Sequence, residues 1–360
     1  MPEVLAPIDL VGRIKRDVER SALRARNGLK HLSGVGRPQL GQSPKDVVWS
    51  SGKAELWRYR SDRRTQHPPL LFVHSLVSRS YVFDLAPGNS FVQAMLDRGF
   101  DVFLTEWGEP DEMDAGNTLE TYCDGYLPEM VAAVRRASGA DEVNILGYCF
   151  GGVLSMLYVA GHPGDGARSL AVMATPVDFT AMGPMGAVLQ AGKVEPRNLI
   201  DPTGNVPADV LRNSFRLLQP TADLTSYADL WQNLWSDDYV KAHQTMTQWG
   251  KDHIPFPGAC FVQVAELFAR QNALACGRVP LGDRVVDLVD ITVPFVSIVG
   301  EKDHIVPVES SAGLAALVGS AEADELRLPA GHVGLVVGRA AHGRNIPAIA
   351  GWIERHSEQR

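Results

Sequence analysis

Val143-Asn144-Ile145-Leu146-Gly147-Tyr148-Cys149-Phe150-Gly151-Gly152-Val153-Leu154 is the stretch on which the reading of this chain turns. An apolar, β-rich segment runs through Gly-x-Cys-x-Gly-Gly into a helical pattern carried by Val153, Leu154, Met156 and Leu157. Strand, sharp turn and helix in that order make a nucleophile elbow, with the turn residue exposed at the top of a sheet. Such a turn is strained, and side chains beside the nucleophile would collide. Gly147 and Gly151 relieve that crowding, and Gly152 lets the helix approach the sheet closely. Cys149 then stands at a helix N-terminus, where the positive end of the macrodipole favours thiolate over thiol. The N–H of Phe150 points at the same spot and is expected to serve as one oxyanion donor. The bland alternative is an inert thiol in a tight turn, and the flanking strand and helix argue against it.

Outward from the elbow, the chain alternates short apolar runs with helical patterns. Leu70 to His74, Asp101 to Thr105, Val143 to Leu146, Leu170 to Ala174, Phe295 to Val299 and Glu325 to Leu328 read as strands. Phe91 to Arg98, Thr118 to Ala137 and Val153 to Ala160 read as helices between them. This order predicts an α/β fold, a mostly parallel sheet with helices on both faces. Asp46 to Trp49 and Ala54 to Tyr59 read as a hairpin around Ser51-Gly52-Lys53. Ser33 to Pro44 reads as a loop. Ile8 to Leu32 reads as an amphipathic helix whose polar face is basic, through Arg13, Lys15, Arg16, Arg20, Arg24, Arg26 and Lys30. From Asp178 to about Asp287 no clear buried strand is visible, and Trp231, Trp235 and Trp249 cluster. That segment is expected to be a helical cap inserted before the acid-bearing strand. The expected organisation is therefore a first part of the core over 1–177, a cap over 178–287 and a second part of the core over 288–360.

A thiolate nucleophile needs a base, and the base needs a group to orient it. On an elbow of this kind the partners follow in the order nucleophile, acid, histidine. Phe295 to Val299 leads into Gly300-Glu301-Lys302-Asp303-His304-Ile305-Val306-Pro307, which puts Asp303 at the tip of a buried strand. Leu326-Arg327-Leu328 ends in Pro329-Ala330-Gly331-His332-Val333-Gly334, which puts His332 on a glycine-flanked loop. Asp178, after an earlier strand, is the competing acid. His304 reads as a supporting histidine beside Asp303, with a role near the substrate as the alternative. His74 ends the first buried strand and reads as a structural histidine. The loop after it should supply the second oxyanion N–H, from about Leu76 or Val77.

Composition closes off other classes. Of 360 residues, 34 are Lys or Arg and 42 are Asp or Glu, giving a net charge of −8, so no nucleic-acid partner is expected. No run of about 18 apolar residues is present, so no transmembrane segment is expected, and the start of the chain lacks the pattern of a signal peptide. The expected location is cytoplasmic. The four cysteines are widely spaced, which speaks against structural zinc and a disulfide framework. No metal-ligand motif and no nucleotide-binding glycine loop appears, so neither a metal nor a cofactor is expected.

Serine is the usual residue on such an elbow. A thioester exchanges readily with incoming thioesters and passes its acyl group to an alcohol, so a cysteine there favours acyl transfer where water is excluded. The tryptophan-rich cap is the expected excluder. At this point a resemblance is plain. The chain, from Ser43-Pro44-Lys45 to its last strand, resembles the short, class III catalytic subunits of polyhydroxyalkanoate synthases, members of the α/β-hydrolase superfamily. The resemblance is carried by Leu76-Val77-Ser78-Arg79-Ser80-Tyr81 with Asp84-Leu85, by Glu106-Trp107-Gly108-Glu109-Pro110-Asp111, by the Gly147–Gly152 box, by Thr175-Pro176-Val177-Asp178-Phe179, and by the acid and histidine loops. Two residues depart from that pattern: Glu106 replaces the usual aspartate and Ser80 the usual proline.

The resemblance implies polymerisation of (R)-3-hydroxyacyl-CoA with release of CoA. Cys149 would hold the growing polyester chain as a thioester, and His332 would activate the thiol. Asp303 would orient His332 or help activate the substrate 3-hydroxyl. It also implies a homodimer, a second and different synthase subunit, and work at the surface of a polyester granule. The CoA thioester is substrate rather than cofactor. The rival readings are a thioesterase, esterase or depolymerase using the same triad, and a non-catalytic granule protein.

Overall fold

A computed structural model describes residues 10–33, 39–63, 68–183, 187, 190–192, 194–218 and 222–357. Helix α1 (Leu10–Ser33) comes first. Of the expected loop to Pro44, residues 34–38 lie outside the described ones, as do the side chains of Arg13, Lys15, Arg16 and Lys30 on the expected basic face. Strands β1 (Lys45–Ser51) and β2 (Ala54–Tyr59) form the hairpin. Its two-residue turn needs a positive φ, met by Gly52 at 57°.

The chain then alternates as expected. Strand β3 (Leu70–Val73) precedes α2 (Phe91–Asp97), and β4 (Val102–Glu106) precedes α3 (Leu127–Ser138). The helix expected from Thr118 is a π-helical turn over Thr121–Tyr126 before it becomes α3. Gly139, at φ 77°, ends α3 in the left-handed conformation that closes helices. Strand β5 (Val143–Tyr148), helix α4 (Phe150–Gly161) and strand β6 (Ala167–Met173) follow. Helix α4 is apolar on all sides and buried at every position from Phe150 to Ala160, as a helix inside a layered core must be.

Beyond β6 come α5 (Ala208–Leu218), α6 (Ala222–Asn233) and α7 (Asp237–Trp249). The stretch 178–287, expected to hold no clear buried strand, does carry half-exposed strands at its end. Strands β7 (Arg278–Leu281) and β8 (Arg284–Asp287) pair as an antiparallel hairpin around Gly282, at φ 61°. Strand β7 alternates exposed and buried residues, with Arg278 and Pro280 outward and Val279 and Leu281 inward. A search for continuous apolar runs passes over such a half-exposed strand. The core closes with β9 (Phe295–Gly300), β10 (Ala323–Leu328) and α8 (Ile346–Ser357).

Eight strands make one sheet in the order β1-β2-β4-β3-β5-β6-β9-β10. The pairs from β4 through β10 are parallel, and β1 and β2 join antiparallel at one edge. Strands β3, β4 and β5 are buried at every residue, whereas edge strand β1 is half-exposed and polar. That contrast follows from helical cover on both faces of the centre and from an edge that must stay soluble.

The chain divides into two compact units, so the stretch 178–287 is shared between them. One unit joins Met1–Gln39 with Pro220–Gly250. Within it Leu230, Leu234 and Val240 form a small core, Asn27 donates to the Leu234 carbonyl at 2.8 Å, and Arg26 pairs with Asp237 at 2.6 Å. The other unit, Leu40–Gln219 with Lys251–Arg360, contains the sheet.

The elbow is closely packed. A Cβ on Gly151 would stand 2.1 Å from the Val73 carbonyl oxygen, and one on Gly147 would stand 2.5 Å from the Gly152 Cα. Both obstacles are backbone and cannot swing away. Gly151→Ala is therefore expected to lower stability by about 1–3 kcal/mol or more. Gly116→Ala, with open space around the new methyl, should be near neutral. Thermal melting of the two variants beside the unsubstituted protein checks both.

Candidate active site

Cys149 sits between β5 and α4 with φ 55° and ψ −125°, a conformation that non-glycine residues avoid. The neighbouring structure forces it. The Cys149 N–H donates to the Met173 carbonyl at 2.8 Å, tying the turn to β6, and the Gly152 N–H donates to the Cys149 carbonyl at 3.0 Å. The Cys149 side chain is half-exposed, while Cys123 and Cys260 are buried and Cys276 is exposed on the surface. Burial pushes the Cys123 and Cys260 thiols up, which leaves them unreactive.

His332 follows β10 and is 9% exposed. Its Nδ1 lies 2.7 Å from Asp303 Oδ2, and the Asp303 carboxyl is wholly buried. An ionised carboxylate only accepts, so Nδ1 carries the proton of this bond. The other carboxylate oxygen, Oδ1, accepts the N–H groups of Ile305 and Val306, both at 2.8 Å. Asp303 is thus committed on both oxygens. Cys149 is also close enough to His332 to act on it electrostatically. Burial disfavours the imidazolium, but the charges of Cys149 and Asp303 and the hydrogen bond to Asp303 outweigh it, raising the His332 pKa to about 10. Cys149, His332 and Asp303 are therefore linked in one chain of interactions.

Tyr148 was not singled out by the sequence, yet it lies directly under this chain. Its ring is 5.0 Å from that of His332, and its hydroxyl donates to the His332 carbonyl at 3.3 Å. Its position between Gly147 and Cys149 was the available signal, since a strand residue adjacent to Cys149 points to the opposite face. Phe150 begins α4, so its N–H is among those that a helix leaves without an internal partner. Its ring packs edge-on against Phe256 at 5.9 Å and near Phe268 at 6.5 Å.

Val77 lies in the loop after β3, and its carbonyl accepts the Ile254 N–H at 3.3 Å. Ser78 bridges to His253, and the Tyr81 hydroxyl donates to Asp252. The short segment 252–254 therefore runs along this loop. On the other side the two departures from the family pattern meet each other. The buried Glu106 carboxylate accepts the Ser80 hydroxyl at 2.5 Å, the Ser80 N–H at 3.3 Å and the Gly108 N–H at 3.1 Å. A proline at Ser80 could make neither of its two bonds, so glutamate and serine depart together for one reason.

The remaining expectations fall outside this cluster. Asp178 caps a short 3₁₀ turn: its Oδ1 accepts the Thr180 N–H and hydroxyl at 2.8 and 2.6 Å and the Asn272 amide at 3.0 Å. It makes no hydrogen bond to His332. His304 is exposed, although it adjoins Asp303 in sequence, because the turn after β9 sends the two side chains apart.

Asp303→Asn should leave the packing intact but offer an amide where Nδ1–H needs an acceptor. Turnover is expected to fall by roughly 10³–10⁴-fold. The same variant tests the His332 electrostatics. A folded pKa above the ordinary 6.5 adds stability that is complete below about pH 6.5 and is lost as the pH rises toward 10. Removing the carboxylate should shrink that high-pH decline, as read from melting temperatures between pH 6 and pH 10.

With the geometry in place, three comparisons bear on identity. The profile of the α/β hydrolase fold family matches residues 68–338. An epoxide hydrolase of Bacillus megaterium, solved with an inhibitor, superposes with a TM-score of 0.52 at 13% identity, over 86% of this chain and all of that one, which speaks for the fold alone. Among curated proteins, the poly(3-hydroxyalkanoate) polymerase subunit PhaC of Allochromatium vinosum is 36% identical over 96% of this chain and 99% of its own length. That of Haloferax mediterranei is 36% identical over 90% of this chain and 66% of its own, and that of Synechocystis is 34% identical over 91% and 89%. A buried parallel sheet, a cysteine elbow and near full-length similarity to these subunits agree: the chain belongs to the poly(3-hydroxyalkanoate) polymerase family of the α/β-hydrolase superfamily.

Proposed function

We propose that the chain polymerises (R)-3-hydroxyacyl-CoA, with Cys149 as nucleophile, His332 as its base and Asp303 as the group that orients His332. The carrying observation is the grouping of the half-exposed Cys149 with His332, whose Nδ1 is bonded to a wholly buried Asp303 carboxyl. The Cys149 thiol gives its proton to His332 Nε2, and the sulfur adds to the thioester carbonyl carbon. The N–H groups of Phe150 and Val77 would hold the oxyanion. The carbon–sulfur bond to CoA then breaks, and the departing thiolate takes the proton from His332. An acyl-Cys149 thioester and free CoA result.

A 3-hydroxyl next gives its proton to His332 and attacks the acyl-Cys149 carbonyl carbon; the carbon–sulfur bond to Cys149 breaks, the leaving thiolate takes the proton back from His332, and the new ester lengthens the chain by one unit. His332 serves both half-reactions, as a base matched to both must. Because Asp303 is held on both oxygens, it is assigned to orienting His332 rather than to the substrate hydroxyl. Phe256 and Phe268, packed on Phe150, support a dry site in which an alcohol competes successfully with water. His304, exposed, is given no part in the chemistry.

The reading extends to partners and place. A homodimer, a second synthase subunit and a cytoplasmic location at the granule surface are part of it. Support for contact with an apolar surface comes from Tyr227 and Trp231 on α6, which are 57% and 72% exposed. Among the described residues no helix is long and apolar enough to cross a membrane. No cofactor enters the proposed steps.

The test is to supply (R)-3-hydroxybutyryl-CoA, follow CoA release with a thiol reagent, and weigh the product. CoA release with high-mass polyester is the expected result. Release with only free 3-hydroxybutyrate would replace the polymerase reading with a thioesterase. Cys149→Ala should abolish CoA release; retention of full activity would remove Cys149 from the mechanism.

A further inference from the structure

His74 is wholly buried, stands next to the proposed site and makes an unusual pair of contacts. Its Nε2 lies 3.1 Å from the Ser78 carbonyl oxygen and 3.2 Å from the Ser78 hydroxyl. A carbonyl cannot donate, so Nε2 carries the hydrogen. Nδ1 is then a bare lone pair, and it has no hydrogen-bond partner among the described residues. Burial, and next the charge of His332, hold the His74 pKa down at about 3, so the ring is neutral and the donor is permanent.

The base of this contact is rigid. The His74 N–H donates to Thr105 Oγ1 at 3.0 Å, and its carbonyl accepts Trp107 Nε1 at 2.8 Å. The ring lies nearly parallel to Tyr148, 6.3 Å away, and edge-on to Phe83 at 5.7 Å. Phenylalanine would fill that aromatic slot without burying an unpaired nitrogen. On packing alone it is the better residue, so the histidine needs another explanation. The bond to Ser78 supplies one, because it closes a loop whose only residues between the two anchors are Ser75, Leu76 and Val77.

We propose that His74 is a positioning residue, whose Nε2–H clamps Ser78 and thereby holds the Leu76–Val77 backbone where it can donate to an oxyanion formed at Cys149. The proposal rests on the acyl-transfer reading of Cys149 and adds a residue to it.

The experiment compares two reactions of the same sulfur. Acylation by p-nitrophenyl butyrate, read as the burst of p-nitrophenol, builds an oxyanion. Alkylation of Cys149 by iodoacetamide, read by mass spectrometry, builds none. His74→Phe is expected to slow the burst by about 10–100-fold. It should leave alkylation within about twofold and the melting temperature no lower than that of the unsubstituted enzyme. His74→Gln, which keeps an N–H donor, should recover part of the burst. Ser78→Ala, which removes only the hydroxyl, should slow it less than His74→Phe.

An unchanged burst in His74→Phe would overturn the proposal. So would alkylation that falls in step with acylation, since the defect would then lie in the Cys149–His332 pair or in the fold. If His74→Phe does not fold, an unchanged burst in His74→Leu would overturn it in the same way. The burst reads acylation whatever accepts the acyl group next, so an enzyme that hydrolyses rather than polymerises still decides the question. Absence of a Cys149-dependent burst in the unsubstituted enzyme would remove the nucleophile itself, and both readings with it.

Discussion

The backbone of Cys149 is held where an ordinary residue would not stay, and the surrounding structure exists in large part to hold it. A φ of 55° with ψ −125° is unfavourable for any residue with a Cβ. It persists because the turn is bound from below by the Met173 carbonyl and because three glycines let β3, α4 and the strand–helix crossing close to backbone contact. The all-apolar α4 follows from the same constraint. A helix that starts this close to the sheet has no face left for solvent, so each of its residues from Phe150 to Ala160 is buried.

Around that turn, polar groups are few and nearly all committed. Asp303 spends one oxygen on two backbone N–H groups and the other on His332. Those bonds replace the water that burial removes from the carboxyl group. Glu106 is likewise satisfied by Ser80 and Gly108. The loop between β3 and Tyr81 is gripped from two sides, by His74 and Glu106 on one and by Asp252, His253 and Ile254 on the other. The proposed chemistry asks for such a grip, because a donor that reorganises during the reaction stabilises charge poorly.

Much of this was legible in the chain. The six runs became six strands of the sheet; those at its centre are apolar because they are buried on both faces, whereas Glu325–Leu328 lies in the largely exposed edge strand β10. Cys149, Asp303 and His332 were each readable from a strand followed by a glycine-rich turn. What resisted reading was whatever alternates or acts at a distance. Strand β7 was missed because Arg278 and Pro280 interrupt its apolar residues. Asp178 competed with Asp303 because both follow strands, and only Thr180 and Asn272 show that its carboxylate is occupied elsewhere. His74 read as an ordinary buried histidine, since an unpaired Nδ1 leaves no mark on the sequence.

By itself the sequence determined the layered α/β fold, the place of the elbow and the identity of its cysteine, because periodicity and glycine spacing are local properties of the chain. The tertiary structure decided the rest. It brought residues 149, 303 and 332 together, assigned both oxygens of Asp303, and paired Glu106 with Ser80. Apart from the Asp303 bonds to Ile305 and Val306, those contacts join residues 26 to 183 positions apart in the chain, and such contacts depend on sheet order, here β5-β6-β9-β10, rather than on any local pattern.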